Sequence, residues 1–535
     1  MQLPTRILCV LAFASAALGT GGDCRGADAP STKRATKIVP NPRHPTALRP
    51  LEGFLPAKYP YRSELITRVD AIHKVGYEKW INTAWAAMLI KQRIIRPEHA
   101  PKVAECLVAA WRPTRTGRYY TGFTWAQNDV IKKHSQQAGG NVNIARTSPP
   151  ARQTMPVRHK LLREICVIHD FQQALLDLAA EHTATVMPGY THIRHAQPTT
   201  FGHYVLSVHD PIARSMRVVE ESYRLMNLNE LGCGALAGTS WPIDRDLVST
   251  YLGMEGLIEN TNDAVGYSDG FLTVVAGLTN VMNVASRMSL DLNYWSTPEF
   301  GFLDFAYHGP SFMMPNKSSN QAHLEMTRVG AAKMLGHLTD VAAMGMRCPH
   351  GDMVEMLHMQ DGPIRALDAI DHYLRPMIEQ LHGITVFPDK MLAGAREGYS
   401  CASELANQVV RDHGIDYRTA HKIVHDFVVA SKDQGLPAAE ARADVLDAAA
   451  QNVIGKKLGM DDARVRELLD PVYFVKVTKS RGGVAPEEVA RMIADRREKL
   501  KGARARHLER IETLENAQKR LLSDLRAICK GLQKQ

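Results

Sequence analysis

Residues 270–297 read GFLTVVAGLTNVMNVASRMSLDLNYWST. Within them Phe271, Val274, Leu278, Val281, Ala285, Met288, Leu292 and Trp295 recur at alternating spacings of three and four. That spacing gathers apolar side chains on one stripe of a helix. No proline interrupts the chain between Ile243 and Thr297, so the stripe predicts one long helix with a coiled-coil-like seam. Outward from it, Val157, Leu161, Ile165, Ile168, Phe171, Leu175 and Leu178 predict a second long helix. Leu324, Val329, Ala332, Leu335, Leu338 and Val341 predict a third, and a fourth from Phe201 to Met226 has to kink at Pro211. Helices of some 25 residues are nearly 40 Å long. Strand-like alternation is scarce, so the expected fold class is all-α, a bundle of long helices whose stripes pack as core and carry no chemistry.

Around that bundle the chain divides by composition. Residues 30–60 carry seven prolines and are expected to be an extended linker. Three mainly helical domains follow: an N-terminal one at 61–185, the central long-helix bundle at 186–385, and a small C-terminal one at 386–490. The last is broken into short pieces by Pro388, Gly398, Gly414, Gly435 and Pro437. Residues 491–535 form a basic amphipathic helical tail with Leu508, Ile511, Leu514, Leu521, Leu525, Ile528 and Leu532 on one face, expected to pack on the body or to self-associate.

Arg6, the apolar run from Ile7 to Leu18 and the small residues ending in Ala27-Asp28-Ala29 have the layout of a signal peptide, 1–29. Its use predicts an exported protein, periplasmic or secreted, and otherwise a cytoplasmic one. No later stretch is long and apolar enough for an integral membrane segment. The formal charge of +9 gathers at the two ends, about 7 basic against 2 acidic residues in 1–50 and about 13 against 6 in 491–535, which argues against a nucleic-acid partner. Eight widely scattered cysteines show no metal-ligand or redox spacing, and free thiols are expected.

Three segments carry chemistry. Met187-Pro188-Gly189-Tyr190-Thr191-His192, followed by His195-Ala196-Gln197-Pro198, presents a hydroxyl beside an imidazole, a pair able to hold a carboxylate and handle a proton. Gly309-Pro310-Ser311-Phe312-Met313-Met314-Pro315-Asn316-Lys317-Ser318-Ser319-Asn320 brackets a serine and a lysine with glycine and proline. Removing a proton next to a carboxylate builds charge that a fixed lysine offsets. Leu231-Gly232-Cys233-Gly234-Ala235-Leu236-Ala237-Gly238-Thr239-Ser240 permits close backbone approach, but lacks the strand and spacing of a dinucleotide site.

Those segments, in that order, resemble the superfamily of fumarase, aspartase and argininosuccinate lyase. Similarity to argininosuccinate lyase runs from about Asp70 to Ala490, through Pro242-Ile243-Asp244-Arg245, Ser296-Thr297-Pro298-Glu299-Phe300-Gly301-Phe302, Glu397-Gly398-Tyr399-Ser400 and Arg481-Gly482-Gly483. The resemblance implies a fumarase/aspartase-type bundle and a homotetramer with active sites shared between subunits. It also implies elimination from a small dicarboxylate substrate with no metal or cofactor, releasing fumarate and an amine or guanidine. It assigns Ser311 as base, Lys317 as stabiliser of the carbanion-like intermediate, and Thr191 and His192 as the carboxylate-binding and proton-handling pair. Allowing one inserted residue after Lys317, Asn320 falls on a substrate-binding asparagine and Glu325 on the glutamate that supports the histidine. Gln197 and Arg146 complete the expected substrate contacts.

The pattern departs from the family on one side. Phe312 replaces the second serine of the loop, Arg146-Thr147-Ser148-Pro149-Pro150 stands for Arg-Ser-Arg-Asn-Asp, Lys74 stands where a serine contacts the amino-acid end, and Pro349-His350-Gly351-Asp352-Met353 replaces a Tyr-Asn-containing stretch. The fumarate half of the site is therefore expected to be kept and the arginine half altered. Argininosuccinate is the first expected substrate. The alternatives are another elimination with a smaller or more anionic leaving group, or a catalytically silent structural relative.

Overall fold

Long apolar stripes can only be satisfied by other stripes, and the computed structural model arranges them so. It describes residues 60–113, 124–147, 151–306, 311, 313–314, 320–346 and 348–530. The expected leader and all but the last residue of the expected linker lie outside these. Five long helices dominate: Thr154–Glu181 (α1), Phe201–Met226 (α2), Asp269–Trp295 (α3), Ala322–Gly345 (α4) and Asp361–His382 (α5). Helix α3 packs on α2, α4 and α5, while α1 packs on α2 and α5. All eight residues of the quoted stripe are buried, from Phe271 at 0% to Trp295 at 7% exposure. Close approach is secured at Gly330, where an added Cβ would stand 2.6 Å from the Tyr373 side chain. Helix α2 continues through Pro211, and its first turn is capped by the Thr200 hydroxyl accepting from His203 N–H.

Two features differ from the sequence expectation. The stripe on α4 is not all core: Leu324 and Val341 are buried, but Val329 is 42% and Leu335 60% exposed. The buried face instead runs through Thr327, Gly330, Ala331 and Met334, where small side chains let the helix settle on its neighbours. Second, residues before 186 share one hydrophobic core with the bundle, because α1 and the almost wholly buried helix Tyr77–Lys91 pack into it.

A separate core of Leu405, Val409, Ile423, Phe427, Leu446 and Leu468 holds the helices of the small domain together. The chain then returns along the body as helix Pro486–Lys530 (α6), 45 residues and roughly 68 Å long. Its apolar face, including Ile511, Leu514, Leu521 and Leu525, is buried. Polar contacts fix its register: Arg68 binds Glu515 through two nitrogens at 2.9 and 3.0 Å, Tyr251 donates to Asp524 at 2.6 Å, and Arg496 meets Asp210 at 2.8 Å. Among the described residues no helix is long and apolar enough to cross a membrane.

Candidate active site

Between α1 and α2 the chain forms a small arm. Val186–Met187 (β1) pairs antiparallel with Thr199–Thr200 (β4), and further out Tyr190–Thr191 (β2) pairs with Arg194–His195 (β3). Only His192 and Ile193 connect β2 to β3, with φ of 52° and 59°. A two-residue turn with both φ positive normally uses Asn-Gly, and a β-branched residue there is strained. Ile193 is nevertheless 93% exposed, so no burial within this chain offsets the strain. The turn holds Thr191 and the imidazole of His192 at the arm's tip, both exposed. Gly189 makes the bend possible, since a Cβ there would lie 2.3 Å from the Gln197 carbonyl oxygen. Tyr190 packs edge-on against Phe300 and His195, and burial, aided by Glu397, pushes its hydroxyl up to about 12. The Gln197 amide donates to Ser403 Oγ at 3.1 Å, so this expected substrate contact also ties the arm to the small domain.

The second segment lies beyond α3. Ser311 is half-buried, and its Oγ accepts the Met314 N–H at 3.1 Å. Met313 and Met314 beside it are 86% and 52% exposed. Asn320 lies two residues before α4, and Glu325 is exposed in that helix's first turn, where the helix dipole favours a carboxylate. Ser289 of α3 donates to the Leu324 carbonyl and so fixes the start of α4 against the last two turns of α3. Lys317 lies outside the described residues.

Arg146 belongs to a different cluster. Its guanidinium donates to Asn82 Oδ1, and Arg152 Nε meets Glu78 Oε1 at 2.8 Å. Glu78 and Asn82 are one turn apart on Tyr77–Lys91, with Lys74 exposed in the turn that leads into that helix. Burial lowers Arg146 from its usual value, and Glu78 opposes that change. The following segment is held by Glu230, whose Oε2 accepts the Ala151 N–H at 2.9 Å. Glu230 is 5% exposed, and burial pushes it up to about 7 against the Ala151 bond and the Thr154 hydroxyl. The glycine-rich loop passes beside it, clamped by Arg245 through the carbonyls of Leu231 (2.8 Å), Ile258 (2.7 Å) and Glu259 (3.0 Å). Gly351 packs against Gly266, and the nearby Asp352 charge is felt at the Cys233 thiol, which burial pushes up to about 11. Glu78, Asn82, Arg152 and Glu230 were not visible in the sequence: no spacing connects residue 78 with 230, and only the return of α2 brings them together.

These pieces sit at opposite ends of the bundle. Arg146 precedes α1 by eight residues and His192 follows it by eleven, and the 28 residues of α1 span roughly 42 Å. Helix α2 then returns, so Asn227 meets Arg158 at 2.7 Å and Glu230 meets Ala151. At the far end Tyr204 stacks edge-on with Trp295 at 4.6 Å, which places the end of α3 beside the arm. One chain thus carries Thr191, His192 and Gln197 on the arm and brings the start of α4, with Asn320 before it and Glu325 in its first turn, to that end, and leaves Arg146 at the other.

Comparison with known proteins gives matches over most of the chain. The family model described as lyase matches residues 115–336, and one described as argininosuccinate lyase C-terminal matches 399–476. The argininosuccinate lyase of Methanoculleus marisnigri is 33% identical over 408 residues, 74% of this chain and 80% of that protein. That of Methanosarcina barkeri is 30% identical over 438 residues, 78% and 86% of the two. Among solved structures, an EDDS lyase variant with bound fumarate has a TM-score of 0.75 at 26% identity, covering 90% of this chain and 96% of that one. A class II fumarase from Schistosoma mansoni, 13% identical with a TM-score of 0.57 over 77% of this chain and 94% of its own, shares the fold.

Proposed function

The chain belongs to the fumarase/aspartase superfamily of lyases, the family that includes the argininosuccinate lyases, and from that membership we propose that it splits a substituted succinate, argininosuccinate first, into fumarate and an amine or guanidine. Ser311 Oγ takes the proton from the succinyl carbon beside a carboxylate. The electron pair left behind forms the fumarate double bond as the carbon–nitrogen bond breaks, and the departing nitrogen gains a proton. Lys317 offsets the charge gathering on the carboxylate. Thr191 and Asn320 hold carboxylate oxygens, Glu325 orients His192, and Gln197 and Arg146 complete the substrate contacts. The observation that carries this reading is the Met314 N–H aimed at Ser311 Oγ, a donor placed to stabilise charge on an oxygen acting as base.

We also propose that the working unit is a homotetramer whose sites draw on several chains. The separation of Arg146 from His192 supports it, since no dicarboxylate reaches across α1. So do the outward apolar residues Leu272 (37%), Leu290 (43%) and Tyr294 (57%) on α3 and Leu335 (60%) on α4, which form a face suited to a second copy. A leaving group more anionic than arginine is the second reading, favoured by Lys74 and His350 at the Arg146 end. The leader at 1–29 is proposed to export the protein, which sequencing the mature N-terminus checks. The test of the reaction follows fumarate by ultraviolet absorbance with argininosuccinate, adenylosuccinate, aspartate and malate. Ser311→Ala is expected to lower the rate roughly a hundredfold or more. A folded tetramer that turns over none of the four and does not bind fumarate would overturn the lyase reading in favour of a silent relative.

A further inference from the structure

Helix α6 is held on α1 by polar groups at the centre of their contact. On α1, Cys166, His169, Asp170, Gln173 and Asp177 recur at spacings of three and four and so share one face. From α6, Arg497 meets Asp177 at 3.0 Å, and Arg504 donates to the Gln173 side chain at 3.2 Å and to the His169 carbonyl and Asp170 carboxylate at 3.3 Å. His507 Nε2 lies 3.3 Å from Cys166 Sγ. The rings of His169 and His507 stand edge-on with centroids 5.9 Å apart, and both are buried, at 1% and 0% exposure.

This contact is built to be sensitive to a proton. Among the described residues neither ring nitrogen of His169 has a hydrogen-bond partner, and an unmet buried polar group costs stability. Arg504, Arg506 and Arg510 of α6 place positive charge around that ring, as His507 does when protonated. Asp170 is the carboxylate of the cluster, and Arg504 already meets it. The groups that α2 contributes are engaged with the same arginines: Glu220 lies 3.8 Å from Arg506, and the Tyr223 ring lies 4.8 Å from the Arg510 guanidinium. Burial first, and these charges next, hold His169 well below 6.5. Burial, with Arg510 adding to it and the Leu162 carbonyl opposing it, pushes His507 down to about 3.

We propose that this cluster is an acid-operated latch: protonation of His169 and His507 releases α6 from α1 across residues 497–510 while the small domain stays folded. Both imidazoles are neutral when α6 is docked, and both take up protons once it lifts and water reaches them. The docked state is therefore fully favoured above the ordinary value of 6.5 and is lost progressively as pH falls below it. From pH 7.5 to pH 5.5 each imidazole raises the ratio of undocked to docked chains about tenfold, and the two together about a hundredfold. The latch is formed by one chain's own residues and does not rest on the proposed elimination.

The test is hydrogen exchange read by mass spectrometry on the purified full chain at pH 7.5 and pH 5.5, each rate divided by that of an unstructured amide at the same pH. Protection across residues 500–510 is expected to fall about a hundredfold in acid, while that of Ala402–His413 and Tyr417–Asp433 in the small domain stays unchanged. His169→Gln and His507→Gln each remove one titrating group and keep a polar side chain. Each is expected to reduce the fall to about tenfold, and the double variant to abolish it. The single variants keep the test decisive where the double variant fails to fold. Wild-type protection across 500–510 that ignores pH, a fall that both single variants show in full, or an equal fall in the small domain would overturn the latch.

Discussion

Glu230→Gln tests how the Arg146 end of the molecule is held together. The Glu230 carboxyl is raised from the ordinary 4.5 to about 7 by burial. The folded chain therefore binds this proton more tightly than the unfolded chain. Its contribution to stability is whole below about pH 4.5 and is lost as pH rises through 7. At 1.36 kcal/mol per pH unit, the loss across that window comes to roughly 3 kcal/mol, a large share of a typical folding free energy. Glutamine keeps an oxygen to accept the Ala151 N–H and carries no charge to desolvate. Urea denaturation followed by tryptophan fluorescence, at fixed protein concentration and at pH 5 and pH 8, is expected to show the variant close to wild type in acid and more stable by about 2–3 kcal/mol in base. Parallel pH profiles for the two proteins would refute the reasoning, because they would mean that Glu230 is ionised in the fold and balanced by a cation.

Three further outcomes are expected. Ile193→Gly relieves about 1–2 kcal/mol of left-handed backbone strain and adds about 0.5–1 kcal/mol of chain freedom, so stability stays within about 1 kcal/mol of wild type or rises. Fumarate formation is expected to fall because the turn presenting His192 loosens, and a loss of stability above 1 kcal/mol in thermal melts would contradict this. Leu514→Ala, in the buried face of α6, is expected to cost about 2–5 kcal/mol, and a change below 1 kcal/mol in the same melts would mean that α6 is not part of the core. Burial pushes Asp210 up, but hydrogen bonds from His209 and Arg496 outweigh it and hold the carboxyl well below 3.8. Asp210→Asn is then expected to cost about 1 kcal/mol at neutral pH after solvent screening, a difference that disappears as acid titrates the wild-type pair. A cost that persists unchanged at pH 2 would contradict it.

The bundle was legible because its signal is repetitive. Eight residues from Phe271 to Trp295 state one face of one helix, and any helix that buries them must match another stripe. The same rule misread α4, since Leu335 obeys the spacing yet faces outward: periodicity reports that a face is apolar and not what covers it. The segment containing Thr191 and His192 was found from residue types, but the tight turn was not, because His-Ile carries none of the Asn-Gly signal for positive φ. Glu78 and Glu230 escaped altogether. Their role comes from partners 74 and 79 positions away, Arg152 and Ala151, and no local pattern encodes a meeting that depends on α1 running out and α2 running back.

Helix α6 has a consequence for how the protein is made. Its C-terminal half carries Gln518 and Glu515, which bind Ile72 and Arg68 of the helix Pro60–His73, more than four hundred positions away. At 5–20 residues per second, residue 68 leaves the ribosome roughly 20–90 seconds before residue 525 exists. For that time Leu65 and Val69, buried in the finished molecule, have no C-terminal helix to lie under. A stalled or prematurely terminated chain is left with that apolar surface open. Emergence of α6 is thus the step that closes the core, and ribosome-bound intermediates of this protein are expected to be clients for chaperones until that helix has been made.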